Sequence, residues 1–236
     1  MNLLTFKNLL LFSIIIIIIL IIYLFKLNNE KYKYSRQSPI DIKPTGYILK
    51  NDNLLDIIYK NAKIPFIKSK LSHHNYHFDI NDSNYITKYN NTEFILKQFH
   101  FHNTSEHKLN GKKFDMEVHL VHKALAQDTN QYLVIGFFIE SNPDLLKDGI
   151  FDSAIKQEDN GIIDLTKDLD LFKNRFYNYK GSLTTSPYSP NVEWIVFNKP
   201  IYTKLSKKEI TNKWNNLASA RDILDTVYKS EVLTFE

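Results

Sequence analysis

The stretch "QFHFHNTSEHKLNGKKFDMEVHLVHK", residues 98–123, holds five of the chain's eight histidines, and the other three, His73, His74 and His77, lie just upstream. Its first part continues back into "EFILKQFHFH", residues 93–102, which is β-branched and aromatic and reads as a strand. Alternation along that strand sets Leu96, Gln98, His100 and His102 on one face, with Phe99 and Phe101 on the other. In "DMEVHLVHK", residues 115–123, it sets Glu117, His119 and Val121 against Met116, Val118, Leu120 and His122. Asn110-Gly111 between the two is a hairpin-turn dipeptide, so antiparallel pairing is expected. His100 and His102 emerge about 7 Å apart. A paired neighbour brings His119 to the same place.

Three imidazoles without carboxylate or thiolate describe a catalytic zinc site that keeps a fourth position open. Neutral ligands leave the ion its full charge, which lowers the pKa of bound water to about 7. Gln98 and Glu117 each stand two residues from a histidine on the same face, suited to accept the second ring N–H and fix the tautomer. One histidine on a strand is ordinarily just a satisfied side chain. An H-x-H pair, a third histidine and the flanking Gln and Glu together argue for a site. The chain has no cysteine, so disulfides and thiolate metal sites are excluded.

The remaining sequence fits one mainly β domain. Its 236 residues are 43% hydrophobic and 24% charged, enough for a single core of about 200 residues. A net charge of +4 without a dense basic run gives no case for nucleic acid. Besides the two strands above, "YILK", "PFIKSKLS", "YHFDIND", "YLVIGFFIE" and "VEWIVFN" read as short strands between turns. A helix is predicted in "SKKEITNKWNNL", where Ser206 and Glu209 have capping-box spacing, and a second short one in "TKDLDLFKNRF".

The N-terminus differs. After a tail at residues 1–8, residues 9–25 form an apolar run of 17 residues relieved only by Ser13 and Tyr23. As a helix it covers roughly 26 Å, close to the hydrocarbon thickness. No small-x-small site follows, so an uncleaved single-pass anchor is expected. Residues 26–36 read as a polar tether and 37–236 as the catalytic domain. Lys26, Lys31, Lys33 and Arg36 after the span favour a cytoplasmic domain by the positive-inside tendency.

With "QSPIDI" upstream and "YKGSLTTSPYSPNVEWIVFNKPI" downstream of the histidine stretch, the chain resembles an α-class carbonic anhydrase. The resemblance spans Gln37 to about Ile201. It implies a large, twisted, mostly antiparallel β-sheet with zinc at the base of a conical cleft, and reversible hydration of carbon dioxide to bicarbonate. It assigns His100, His102 and His119 to zinc, with Gln98 and Glu117 as their partners. Thr184 matches the threonine that accepts a hydrogen bond from zinc-bound hydroxide, and Glu106 matches the carboxylate that takes the threonine's own proton. Thr185 stands near bicarbonate. Val121, Val134, Leu183 and Trp194 match the apolar wall beside the nucleophile, although each reads equally well as plain core.

The departures from the family's pattern are local. Tyr76 stands where rapid members carry a histidine that exports the proton, leaving His77 or His74 as possible relays. Pro187-Tyr188 replaces a proline-cysteine, so a disulfide common in exported members is missing, and "NNLASARDI" only loosely matches the arginine-containing tail. Members with such an N-terminal segment are normally exported, which implies an extracytoplasmic domain against the charge rule. Sequons begin at Asn81, Asn90 and Asn103. Two other readings stay open: a membrane-anchored binding module, and a zinc hydrolase acting on esters.

Overall fold

The computed structural model describes residues 12–24, 36–44, 46–51, 54–70, 75–126, 131–223 and 232–236. The chain divides into two units, Met1–Arg36 and Gln37–Glu236. In the first, residues 12–24 form helix α1, with its apolar side chains exposed. Among the described residues no helix is long and apolar enough to cross a membrane. Residues 9–11 and 25, the ends of the expected span, and His73 and His74 lie outside the described residues.

The second unit is built on an eleven-stranded sheet. Its strands are β2 (Leu55–Tyr59), β3 (Lys63–Lys68), β4 (His77–Asp79), β5 (Tyr85–Tyr89), β6 (Thr92–His102), β8 (Met116–Ala124), β9 (Tyr132–Ser141), β10 (Asn160–Asp164), β11 (Phe176–Ser182), β12 (Pro190–Thr203) and β13 (Leu233–Phe235). They run in the order β10-β3-β4-β6-β8-β9-β12-β11-β13, with β2 paired to β5 and β5 to β6. The 11 residues of β6 are long enough to carry β5 beside their first half and β4 beside their second. Among the described strands of this sheet, β9 and β12 are the pair that runs parallel. A separate two-stranded piece joins β1 (Asp41–Ile42) and β7 (Lys108–Leu109) in parallel.

The sheet buries a larger cluster on one face and a smaller one on the other, as alternation requires. Phe99, Phe101, Met116, Val118, Leu120, Ile135 and Phe137 belong to the first; Val121, Val134, Phe138 and Trp194 belong to the second. Phe99 is fully buried among Phe66, Phe78, Phe101 and Phe151. Such offset and edge-on ring pairs add about 0.5–1.5 kcal/mol each beyond their buried area. The short helix α2 (Asp152–Ile155) and α3 (Lys207–Trp214) are joined where the Trp214 indole N–H donates to the Ile155 carbonyl at 3.0 Å. The capping box forms as predicted: Ser206 Oγ accepts from the Glu209 N–H, and Glu209 Oε2 from the Ser206 N–H.

Four expectations need correction. Leu96 lies not with Gln98 but in the phenylalanine-rich cluster. The register skips Lys97, pairing Leu96 with His122 and Gln98 with Val121, and this bulge reverses the facing of everything before it. Asn110-Gly111 does make a tight turn, with φ of 50° and 81°. It closes Leu109 onto Lys112 within the excursion between β6 and β8 and does not join those strands directly. "YILK" contributes a single bridge, Leu49 to Phe235. "TKDLDLFKNRF" makes tight single turns and no α-helix: the Asp164 side chain caps the first turn, and Asp168 Oδ1 accepts the Asp170 N–H between the two.

Candidate metal centre

Sheet register brings the histidines together. His77 on β4 pairs with His100 on β6, which pairs with His119 on β8, which faces Gly136 on β9. One step along, His102 pairs with Glu117, and one step the other way Gln98, Val121, Val134 and Trp194 make a parallel row. Ligand atoms of His100, His102 and His119 lie within 4.8 Å of one another, and all three residues are buried. Their ring centroids are 4.7–5.3 Å apart.

Hydrogen bonds fix two of the rings. His100 Nδ1 is 3.0 Å from Gln98 Oε1, and His119 Nε2 is 2.9 Å from Glu117 Oε1. Each carboxyl or amide oxygen accepts the N–H, so His100 Nε2 and His119 Nδ1 keep free lone pairs. Glu117 also accepts from His107, at Nδ1 (2.7 Å) and at the backbone N–H (2.8 Å). The chain continues from His107 Nε2 to the Tyr179 hydroxyl at 2.6 Å, and the hydroxyl reaches Ser38 Oγ at 2.8 Å. His107, Glu117 and His119 also lie close enough for a metal, but the atoms they turn toward one another, His107 Nδ1, Glu117 Oε1 and His119 Nε2, are already hydrogen-bonded together.

The first triad is different. Both ring nitrogens of His102 are buried without a hydrogen-bond partner, as is Glu106 Oε2. Unpaired buried donors and acceptors are costly. Three buried imidazoles, two with their tautomers fixed and the third unsatisfied, fit a zinc ion, and no carboxylate is needed in the set. Burial lowers the pKa of His100, helped by the neighbouring His102, His119 and His77, and lowers His102 to about 4. It lowers His119 as well, with Glu117 opposing. All three are therefore neutral near pH 7. For Glu117 burial acts upward, but electrostatic attraction to the His107 and His119 rings and the N–H bonds it accepts from them prevail and hold the carboxyl well below its usual range.

Glu106 sits on the other flank, with Oε2 3.4 Å from His102 Nε2 and 4.0 Å from His119 Nδ1. Burial raises its pKa, while the His119 charge, the Thr184 hydroxyl and the Arg221 N–H oppose the rise. That N–H donates to Oε1 at 2.9 Å. Above the histidines opens a cavity of ≈ 240 Å³, lined on one side by Val121, Val134, Leu183, Thr184, Thr185 and Trp194. Every residue expected at the wall and at the threonine pair reaches it.

The residues offered for proton export are separated. His77 and Asn75 line the cavity; the His77 ring is 5.2 Å from that of His100. Tyr76 does not reach the cavity. It packs against the phenylalanine-rich core, with Lys68 Nζ 5.1 Å over its ring. Just before β4, the extended backbone turns Tyr76 away when it turns its neighbours Asn75 and His77 in.

The family model for eukaryotic-type carbonic anhydrases matches residues 26–227. The chain belongs to that family. A carbonic anhydrase of Nostoc is 42% identical over 122 residues, 48% of this chain and 44% of that protein. The dioscorin dioA3 of Dioscorea japonica is 30% identical over 214 residues, 86% of this chain and 77% of that protein. Among solved structures, a hyperthermostable carbonic anhydrase from a hydrothermal vent chimney superposes with a TM-score of 0.67 at 27% identity, over 86% of this chain and 88% of that one.

Within this site, sequence reasoning left Gly136, Ser38 and Tyr179 unmarked and undervalued Arg221. Their signals were faint: a lone glycine in "YLVIGFFIE", a serine and a tyrosine in blocks read for resemblance only, and an arginine in a loosely matching tail. Gly136 is needed for space, since a Cβ there would stand 3.2 Å from Glu117 Oε1.

Proposed function

We propose that the chain catalyses reversible hydration of carbon dioxide to bicarbonate and a proton, with a zinc ion held by His100, His102 and His119. The observation that carries this reading is the buried, neutral, converging triad beside an apolar wall. Zinc on such ligands supplies Lewis-acid activation of water at neutral pH. The protein does the rest. Gln98 and Glu117 hold His100 and His119 in the tautomers that present Nε2 and Nδ1 inward. Glu106 as a carboxylate takes the single Thr184 hydroxyl proton, which leaves Thr184 Oγ1 able only to accept from the nucleophile. This orients an oxygen lone pair toward the wall and disfavours ligands with no proton to give. Val121, Val134, Leu183 and Trp194 let an apolar gas rest there without hydrogen bonds, and Thr185, which lines the same cavity, is suited to meet the product oxygens. Among the described residues His77 is the group suited to receive the exported proton, because it lines the cavity and Tyr76 does not.

Retention of the triad with both carboxylates favours an enzyme over a binding module. The test is metal analysis joined to carbon dioxide hydration kinetics. One zinc per chain and activity that both disappear in His119→Ala are expected. Slower turnover in His77→Ala, restored by imidazole buffer, is expected of the relay. A protein that binds no zinc, or a His119→Ala variant as active as the parent, would sink the reading.

We also propose that residues 9–25 anchor the protein as a single span with the catalytic domain outside the cytoplasm. The apolar run and the helical, exposed character of residues 12–24 support the anchor; the side rests on family custom. In sealed inverted vesicles, externally added protease should leave the domain intact, and digestion there would reverse the orientation.

A further inference from the structure

Arg221 joins three segments. Its backbone N–H donates to Glu106, and its guanidinium Nη1 donates to the Ser38 carbonyl at 2.6 Å and to Gln37 Oε1 at 3.2 Å. The same guanidinium lies over the ring of Tyr188, 3.8 Å from the centroid. Tyr188 belongs to the loop that carries Thr184 and Thr185. Inside that loop the Tyr188 N–H donates to the Thr185 carbonyl at 2.8 Å, and the Leu183 N–H to Ser189 at 2.9 Å. Those two bonds shape the loop but do not settle where it rests against Glu106.

Tyr188 has φ of 56°, a left-handed backbone that is uncommon for a bulky residue and persists only when its surroundings support it. No cysteine exists to supply a covalent tie. Thr184 reaches Glu106 and Leu183 packs on the smaller core cluster, but at the Tyr188 end of the loop the stack is the contact that reaches across. A planar guanidinium over an aromatic face is attractive, and lysine would not reproduce its geometry.

We propose that the Arg221–Tyr188 stack is a latch that seats the Thr184–Thr185 loop on Glu106. Arg221 and Tyr188 are positioning residues; neither touches the reacting atoms. Arg221 suits this work because its backbone serves Glu106 while its side chain, free to be substituted separately, serves the loop. Through Ser38 the guanidinium also braces the segment that meets Tyr179, at the far end of the chain leading to Glu117 and His119. The catalytic consequence rests on the carbonic anhydrase reading, whereas the latch itself does not.

The test combines amide hydrogen exchange, zinc content and carbon dioxide hydration on the full chain and its Tyr188→Phe, Tyr188→Ala, Arg221→Ala and Tyr188→Ala/Arg221→Ala variants. Tyr188→Ala should speed exchange at positions 183 and 188 about 3- to 30-fold, the range expected for a lost cation–π contact. Exchange in β6 and β8 and the zinc content should stay as in the parent. kcat and kcat/KM should fall together, since Thr184 acts in the transition state. Tyr188→Phe should stay within about twofold of the parent, because it keeps the aromatic face. The double variant should be no worse in the loop than Arg221→Ala alone. Unchanged loop exchange in Tyr188→Ala, a Phe variant as damaged as the Ala variant, or additive losses in the double variant would overturn the latch. A parent chain that binds zinc yet hydrates no carbon dioxide would remove the functional reading, while the exchange measurements still judge the latch.

Discussion

At the scale of single residues, the centre depends on one missing atom. Gly136 faces His119 across the β8–β9 pair, and a methyl group there would crowd Glu117 Oε1 at 3.2 Å. The carboxylate is also held by His107, so it cannot retreat without lengthening its 2.9 Å bond to His119 Nε2. Gly136→Ala should therefore fold normally and lose zinc affinity by about 10-fold or more, the usual effect of disturbing a ligand's partner. Competition with a chelator measures this, and a melting temperature of the zinc-free protein within a few degrees of the parent would show that the fold is spared. Affinity equal to the parent would mean that Glu117 has room to spare. Gly181 is more restricted, because a Cβ there would stand 2.2 Å from Ser38 Oγ.

At the scale of elements, the sequence was most legible where one face is wholly buried. In β8 every assignment of facing agrees with the structure, because Met116, Val118 and Leu120 enter one cluster and Val121 the other. In β6 the same logic failed before Gln98. Nothing local marks Lys97 as the bulged residue; the register with β8 decides it. The strands Leu55–Tyr59, Tyr85–Tyr89, Asn160–Asp164, Phe176–Ser182 and Leu233–Phe235 were passed over. They are short or interrupted by Asn, Asp, Lys and Gly, which strands disfavour, and their pairing partners supply what the local pattern lacks. The helix at Lys207–Trp214 was legible because its signal is local: Ser206 and Glu209 satisfy each other's backbone.

At the scale of the whole molecule, folding holds a histidine that the metal centre does not use. His122 is fully buried on the phenylalanine-rich side, its Nδ1 donating to the Leu120 carbonyl at 3.0 Å and its Nε2 2.7 Å from the Tyr59 hydroxyl. Burial lowers its pKa to about 4, while in the unfolded chain it titrates near 6.5. Between those values the unfolded chain binds the proton and the native one does not. Stability should therefore fall as pH drops from about 6.5 to about 4, by on the order of 3 kcal/mol from this group, and His122 should add no slope above that window. Urea unfolding across the window should show a shallower pH dependence in His122→Gln than in the parent. Equal slopes would mean that His122 does not carry it.

The sequence by itself determined the mainly β class, the two strands of the histidine stretch, the triad and its Gln and Glu partners. Each of these rests on side-chain alternation or on residue chemistry at short spacing, which the chain carries locally. Tertiary structure alone decided that His77 and not Tyr76 enters the cavity, that Gly136 makes room behind His119, and that Arg221 meets Glu106, Ser38 and Tyr188 together. Those contacts join residues far apart in the chain, and only sheet register and loop packing fix which of them meet.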